Sequence, residues 1–171
     1  MKKEKIRGIT YVALFVAIIS VVSQIAIPMP SLVPITLQTL VVAMCGYLLG
    51  FKRGLCAIIV YIALGAVGAP VFSSFQGGFS VLIGYTGGFI AGFIPLVILC
   101  GIPSGKVNGI VLGILGVLVC HTTGIIWYMA HSSNNFISAF LLVSLPYLIK
   151  DIIFIPLAYF VSAKIKNKIK I

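Results

Sequence analysis

The sequence predicts an all-α integral membrane protein with six transmembrane helices and both termini in the cytoplasm. Three observations predict it. The 171 residues are 61% hydrophobic and only 8% charged, where a soluble domain is roughly half apolar and about a quarter charged. The apolar residues fall into six runs, and at about 20 residues per span six spans consume roughly 120 residues, leaving short links and two tails. The basic residues lie almost entirely in the tails and in alternate links. A mean hydropathy of +1.24 excludes a disordered chain as firmly as a water-soluble one.

The spans follow in order, within a single membrane domain over residues 1–171. Span 1 reads from Ile9 to Ile27, stopped by Pro28 and Pro30. Its basic start resembles a secretory signal, but Ile27-Pro28-Met29-Pro30 offers no small-residue cleavage site, so it is kept as a span. Span 2 covers residues 37–51 and span 3 residues 54–68, ending before Pro70. After a loop rich in Ser, Gln and Gly, span 4 covers 81–101. Span 5 covers 107–129 and span 6 covers 146–163, with Pro146 in a first turn where its missing N–H costs least. The run Phe136–Leu145 is open to reading as a separate interfacial helix.

Charge sets the orientation. The net charge of +10 comes from 12 basic residues against Glu4 and Asp151. Lys2, Lys3, Lys5 and Arg7 cluster at one end, and Lys164, Lys166, Lys168 and Lys170 at the other. With the N-terminus inside, the links carrying Lys52, Arg53 and Lys106 are cytoplasmic, and so is the C-terminus. The outer links hold no Lys or Arg, and only Lys150 breaks the positive-inside pattern. This arrangement supplies no folded basic face for phosphate contacts, so nucleic acid is not an expected partner. The lipid bilayer is.

Few residues are equipped for chemistry. Asp151 is the one acid inside a run, and a charge there defaults to a functional role because it costs at least ~2.5–3.5 kcal/mol at a helix centre. It stands about five residues into span 6, roughly 8 Å below the outer end, facing an outer cavity. Lys150 is its neighbour, but adjacent helical residues point about 100° apart and face each other poorly. Lys150 is therefore read as snorkelling to the interface or as a second ligand contact. Thr36, Gln38 and Thr39 follow a Pro-rich link. They read as a capped helix start with Thr36 as N-cap, or as a polar rim under a lid. The alternation in Phe72–Phe79 reads as an aromatic belt or as a cover for a flat ligand. Ala13 and Ala17 make a small-residue stripe suited to a partner helix.

Other chemistry is poorly supplied. His121 and His131 have no carboxylate or Cys at metal spacing, so no metal is expected. Cys45, Cys56, Cys100 and Cys120 are scattered within apolar runs and read as small buried hydrophobes. No Ser–His–acid set, no phosphate-binding loop and no cofactor motif appears, so an enzyme is not expected. Gly46, Gly50 and Gly54, Gly88 and Gly92, and Gly105, Gly109 and Gly113 recur every four residues, which lets helices approach closely. Without a long internal repeat, a transporter of two inverted halves is disfavoured. A stand-alone secondary transporter using Asp151 as a proton site remains the alternative from another class.

Several stretches taken together resemble the BioY family, the biotin-binding S components of energy-coupling factor (ECF) transporters. They are Pro34-Ile35-Thr36-Leu37-Gln38-Thr39-Leu40, Gly46-Tyr47-Leu48-Leu49-Gly50, Gly68-Ala69-Pro70-Val71-Phe72, Gly84-Tyr85-Thr86-Gly87-Gly88, and Leu145-Pro146-Tyr147 with Asp151. The resemblance implies a six-helix S component that captures biotin on the outer side under a lid following span 1. It implies an EcfT-type transmembrane coupling protein and two ATPase subunits as partners in the cell membrane, with Ala13 and Ala17 facing the coupling protein. It also implies substrate contacts at Asp151, Thr36, Gln38, Tyr85, Thr86 and Gly87, with Lys150 beside them. Two positions depart from the family pattern: Tyr85 stands where a Pro is usual, and Phe154 where a Lys is usual. An S component for another carboxylate vitamin such as lipoate is the alternative within the family.

Overall fold

Helix α1 (Lys2–Val22) absorbs the basic start and ends five residues short of the Ile27 boundary read from sequence. Beyond it Ala26–Ile27 (β1) pairs antiparallel with Ile35–Thr36 (β2), Ala26 opposite Thr36 and Ile27 opposite Ile35. Pro28 pushes Ile27 out of the helical region, and Pro28, Pro30 and Pro34 all lack the N–H a helix would need. The outer link is thus a small β-ribbon rather than the end of a helix. The structure is a computed structural model and describes residues 2–168. Lys170 of the C-terminal basic cluster lies outside the described residues.

Helix α2 (Gln38–Ala66) holds two of the sequence-derived runs, separated by one non-helical residue, Gly50, at φ 72° and ψ 170°. That region is essentially restricted to glycine. The two arms fold back on each other: a Cβ on Gly54 would lie 3.5 Å from the Cα of Gly46, eight residues earlier. Gly50→Ala is expected to cost about 1–3 kcal/mol through backbone strain alone. Thermal unfolding of the detergent-purified variant checks this, with Gly105→Ala as the control, since nothing lies within 4 Å of a Cβ at that position.

The fourth run is not one helix. It divides into α3 (Phe79–Ile83) and α4 (Gly87–Gly101), with Gly84, Tyr85 and Thr86 between them. Trp127 Nε1 donates to the Gly84 carbonyl at 2.9 Å, and a Cβ on Gly87 would sit 1.8 Å from the Leu82 carbonyl oxygen. The chain therefore breaks where glycine permits a turn too tight for a continuous helix. Helix α5 spans Lys106–His131. Helix α6 (Phe136–Val143) is separate, started by Asn135, whose Oδ1 accepts the Ser138 N–H at 2.9 Å. Helix α7 (Leu145–Lys168) follows at a 53° bend, with Pro146 in its first turn.

Glycine governs the packing. Helix α4 lies between α2 and α5. A Cβ on Gly46 would meet the Val97 carbonyl oxygen at 2.6 Å, one on Gly88 the Trp127 Cβ at 2.3 Å, and one on Gly92 the Cys120 Cα at 2.8 Å. The main core joins α1, α2, α4, α5 and α7 around Ile19, Ile58, Tyr61, Leu96 and Ile155. A second cluster packs Val33 of the β-ribbon link onto Ile125, Tyr128, Ala139, Val143 and Tyr147. Cys45, Cys100 and Cys120 are buried as expected, but Cys56 is exposed. The outer face of α7 is apolar, with Ile149, Ile153, Leu157 and Phe160 all exposed at helical spacing. Helices α1 and α5 are each long and apolar enough to cross a membrane, α6 with α7 passes as a bent pair, and α2 reaches that length only when its two arms are counted together across Gly50.

Lys5, Lys52, Arg53 and Lys106 gather at one end of the bundle, away from Lys150. Lys5 and Gly8 of α1 share a groove with Lys52 and Arg53. Gly101 closes on the backbone of Phe51, and Lys106 Nζ lies 4.9 Å from the ring centre of Phe160 near the end of α7. The β-ribbon and the start of α7 occupy the opposite end.

Candidate ligand-binding site

At that opposite end a cavity lies beneath the β-ribbon link. Its roof is Val33, Pro34 and Thr36, and its rim adds Gln38 and Thr39 from the start of α2. Phe89, Ile90 and Phe93 of α4 give an apolar wall, with Phe72 and Ser73 beside them. Cys120 and His121 of α5 and Tyr147, Lys150 and Asp151 of α7 complete it.

Asp151 is 4% exposed and engaged on both oxygens. Oδ1 accepts from Lys150 Nζ, and Oδ2 lies 3.1 Å from His121 Nε2. The expectation that Lys150 and Asp151 face each other poorly is therefore corrected. The four-carbon stem of lysine spans the 100° between adjacent positions, and a buried carboxylate needs a partner. Lys150 does not snorkel outward either. Its Nζ also donates to the Thr36 carbonyl at 2.9 Å, tying α7 to β2, and its ammonium lies 5.0 Å from the ring centre of Phe154.

His121 is the residue that sequence reasoning missed. It is buried, its Nδ1 is 3.0 Å from Ser144 Oγ, and Phe89 packs edge-on to its ring at 5.8 Å. Absence of a nearby carboxylate in sequence counted against it, yet Asp151 stands 30 residues away and in hydrogen-bond contact. The available signal was the one applied to Asp151: an ionisable group within an apolar run.

The lid is held by side chains on both sides. Tyr147 OH donates to the Val33 carbonyl and lies 3.2 Å from Ser31 Oγ. The first turn of α2 is entered from Leu37, one residue after the N-cap read from sequence, yet Thr36 still takes up the first helical N–H. Its hydroxyl accepts the Gln38 N–H at 3.3 Å and donates to Gln38 Oε1 at 3.0 Å. Gln38 Nε2 then donates to Tyr61 OH at 2.8 Å, and Tyr61 donates to the Val71 carbonyl at 3.0 Å. Thr36, Gln38 and Thr39 all reach the cavity because Thr36 sits on a strand, not on the helix that follows. In the 72–79 loop, Phe72 is buried edge-on to Tyr61 at 5.5 Å, whereas Phe75 and Phe79 point outward.

Thr86 lines the cavity; Tyr85 and Gly87 do not. Tyr85 packs on Tyr128, ring centres 5.4 Å apart, and borders a shallower outer hollow with Leu32 and Phe75. Gly87 serves the turn between α3 and α4. Ala13 and Ala17 lie far from the cavity on the exposed face of α1, and Ala13 also lines the basic-end groove beside Cys56 and Val60.

A helical bundle with apolar outer faces and a polar-ended cavity under a latched lid has the build of a membrane-embedded binding protein. The family model described as the BioY family matches residues 1–171. A protein named probable biotin transporter BioY from Pyrococcus horikoshii is 36% identical over 163 residues, covering 95% of this chain and 98% of that one. Biotin transporter BioY2 from Lactococcus lactis is 34% identical over 158 residues, covering 90% and 86%. A crystal structure described as the S-component for biotin from an ECF-type ABC transporter superposes with a TM-score of 0.89 at 25% identity, covering 98% of this chain and 94% of that one. The chain belongs to the BioY family, a family of membrane transporters rather than enzymes.

Proposed function

We propose that this chain is the biotin-binding S component of an ECF-type importer. One observation carries the reading: a buried carboxylate, Asp151, is clamped between His121 and Lys150 in a cavity otherwise walled by Phe89, Ile90 and Phe93. Biotin presents matching chemistry. Its ureido N–H groups suit the lone pairs of Asp151, its ureido oxygen suits the Lys150 ammonium bonded to that carboxylate, and its thiophane ring and valeryl chain suit the aromatic wall. The relatives' naming as biotin transporters supports the same ligand.

The proposal includes six crossings of the cell membrane: α1, the two arms of α2, α3 with α4, α5, and α7, with α6 at the interface. The basic end is cytoplasmic and the cavity opens outward. The chain has no ATP-binding motif, so energy comes from two ATPase subunits through an EcfT-type coupling protein. The exposed Ala13 and Ala17 face is the docking surface for that protein. In cells carrying the whole importer, Ala17→Trp is expected to lower biotin uptake more than about 10-fold while the purified variant keeps its biotin affinity within about twofold. Unchanged uptake would contradict the S-component reading and favour a stand-alone transporter.

A further inference from the structure

We infer that His121 is a positioning residue of the ligand site: its Nε2–H holds one oxygen of Asp151 and so leaves Lys150 an ammonium donor for the ligand. The inference rests on the proposed capture of biotin and adds a residue to that site.

The argument is a count of donors and acceptors. A lysine ammonium has three N–H donors and no acceptor. One donates to the Thr36 carbonyl at 2.9 Å and one to Oδ1 of Asp151. Oδ2 of the same carboxylate is 3.1 Å from His121 Nε2. Without that contact the carboxylate is free to turn both oxygens to Lys150, the strongest donor within reach, and the third ammonium proton is consumed. With Oδ2 held by the imidazole, the third proton stays available to a ligand oxygen, and the remaining lone pairs of Asp151 keep a fixed direction.

The second ring nitrogen fixes the first. With Nε2–H donating to the carboxylate, Nδ1 is turned to Ser144 Oγ at 3.0 Å, a hydroxyl that can serve either role. Ser144 is buried at the bend between α6 and α7, so His121 is braced by that bend while it braces Asp151. Phe89 packs edge-on against the ring. His121 touches the cavity itself, but its effect on the ligand runs through Asp151 and Lys150.

Two isosteric variants separate the two nitrogens. In His121→Gln the amide nitrogen reaches the place of Nε2 and keeps the Asp151 bond. In His121→Asn it reaches the place of Nδ1 and keeps only the Ser144 contact. The experiment is a biotin titration of the full-length, detergent-purified protein and both variants, each also made in a Lys150→Met background. The expected result is affinity within about threefold of wild type for His121→Gln and a loss of at least about 10-fold for His121→Asn. In the Lys150→Met background, His121→Asn should lower affinity clearly less than it does with Lys150 present, because no ammonium donor remains to be freed and only the direction of Asp151 is lost. Equal losses for Gln and Asn, or an undiminished Asn effect without Lys150, overturn the inference and leave His121 as packing. Wild-type protein that binds no biotin instead overturns the proposed function, and the inference falls with it.

Discussion

Asp151→Asn is expected to weaken biotin binding on the order of 100-fold and to lower thermal stability as well. The amide keeps the size of the side chain but removes its charge. Lys150 then carries an unpaired cation at a largely buried site, and breaking one partner of a buried pair costs about 3–5 kcal/mol. One amide oxygen must replace two carboxylate oxygens that now serve Lys150 and His121 separately. Charged hydrogen bonds to the ligand carry a further ~1.5–3 kcal/mol each. The stability loss and the binding loss are separable. Buried ion pairs are often replaceable by apolar residues at no net cost, so the triple variant His121→Leu, Lys150→Met, Asp151→Leu should unfold at or above the wild-type temperature. It should bind no measurable biotin. A triple variant that still binds would remove this cluster from the site.

Gly46→Leu is expected to prevent accumulation of folded protein. A Cβ at Gly46 would lie 2.6 Å from the Val97 carbonyl oxygen and 2.7 Å from the Cys100 Cβ, atoms fixed to the α4 backbone that no rotamer change can move aside. Gly101, on the facing surface of α4, is as tightly closed against the backbone of Phe51. Leucine forces α2 and α4 apart at a cost of about 3 kcal/mol or more, a large share of a total stability of about 5–15 kcal/mol. Helix α4 also carries Phe89, Ile90 and Phe93 into the cavity wall, so any surviving folded protein should bind poorly. Gly46→Ala should show the same effects reduced. Size-exclusion yield and thermal unfolding in detergent are the readouts, and a monodisperse Gly46→Leu protein of wild-type stability would refute this account of the α2–α4 crossing.

Hydropathy and charge sufficed for the class of fold because they report on the solvent, and the bilayer constrains every span alike. They were weaker where local backbone chemistry overrides an apolar run. Ala26 and Ile27 look like the end of a span, but the prolines that follow turn them into the first strand of the lid. Residues 81–101 are apolar enough to be one helix, and Gly84 and Gly87 split them. Glycine spacing was legible as close packing at Gly46, Gly88 and Gly92, which admit no Cβ, but not at Gly105, where nothing lies within 4 Å, or at Gly50, which makes the kink in α2.

The site was legible where a charge stood out against its background. Asp151, Lys150, Thr36, Gln38 and Thr86 all reach the cavity. The pairing of Lys150 with Asp151 was not legible, because helical projection places Cβ atoms and says little about the reach of a long stem. His121 was obscured by sequence distance, since α5 meets α7 only in the folded bundle. Tyr85 and Gly87 belong to the motif that carries Thr86, and a linear motif does not separate the residue facing the ligand from those that shape the turn.

The most direct measurement is a calorimetric titration of the purified, detergent-solubilised protein with biotin, with lipoate and thiamine as comparators. The account predicts tight one-to-one binding of biotin, weaker binding of lipoate, which has a carboxylate but no ureido group, and none of thiamine. Folded protein that binds lipoate in preference to biotin, or that binds neither, would contradict the biotin assignment.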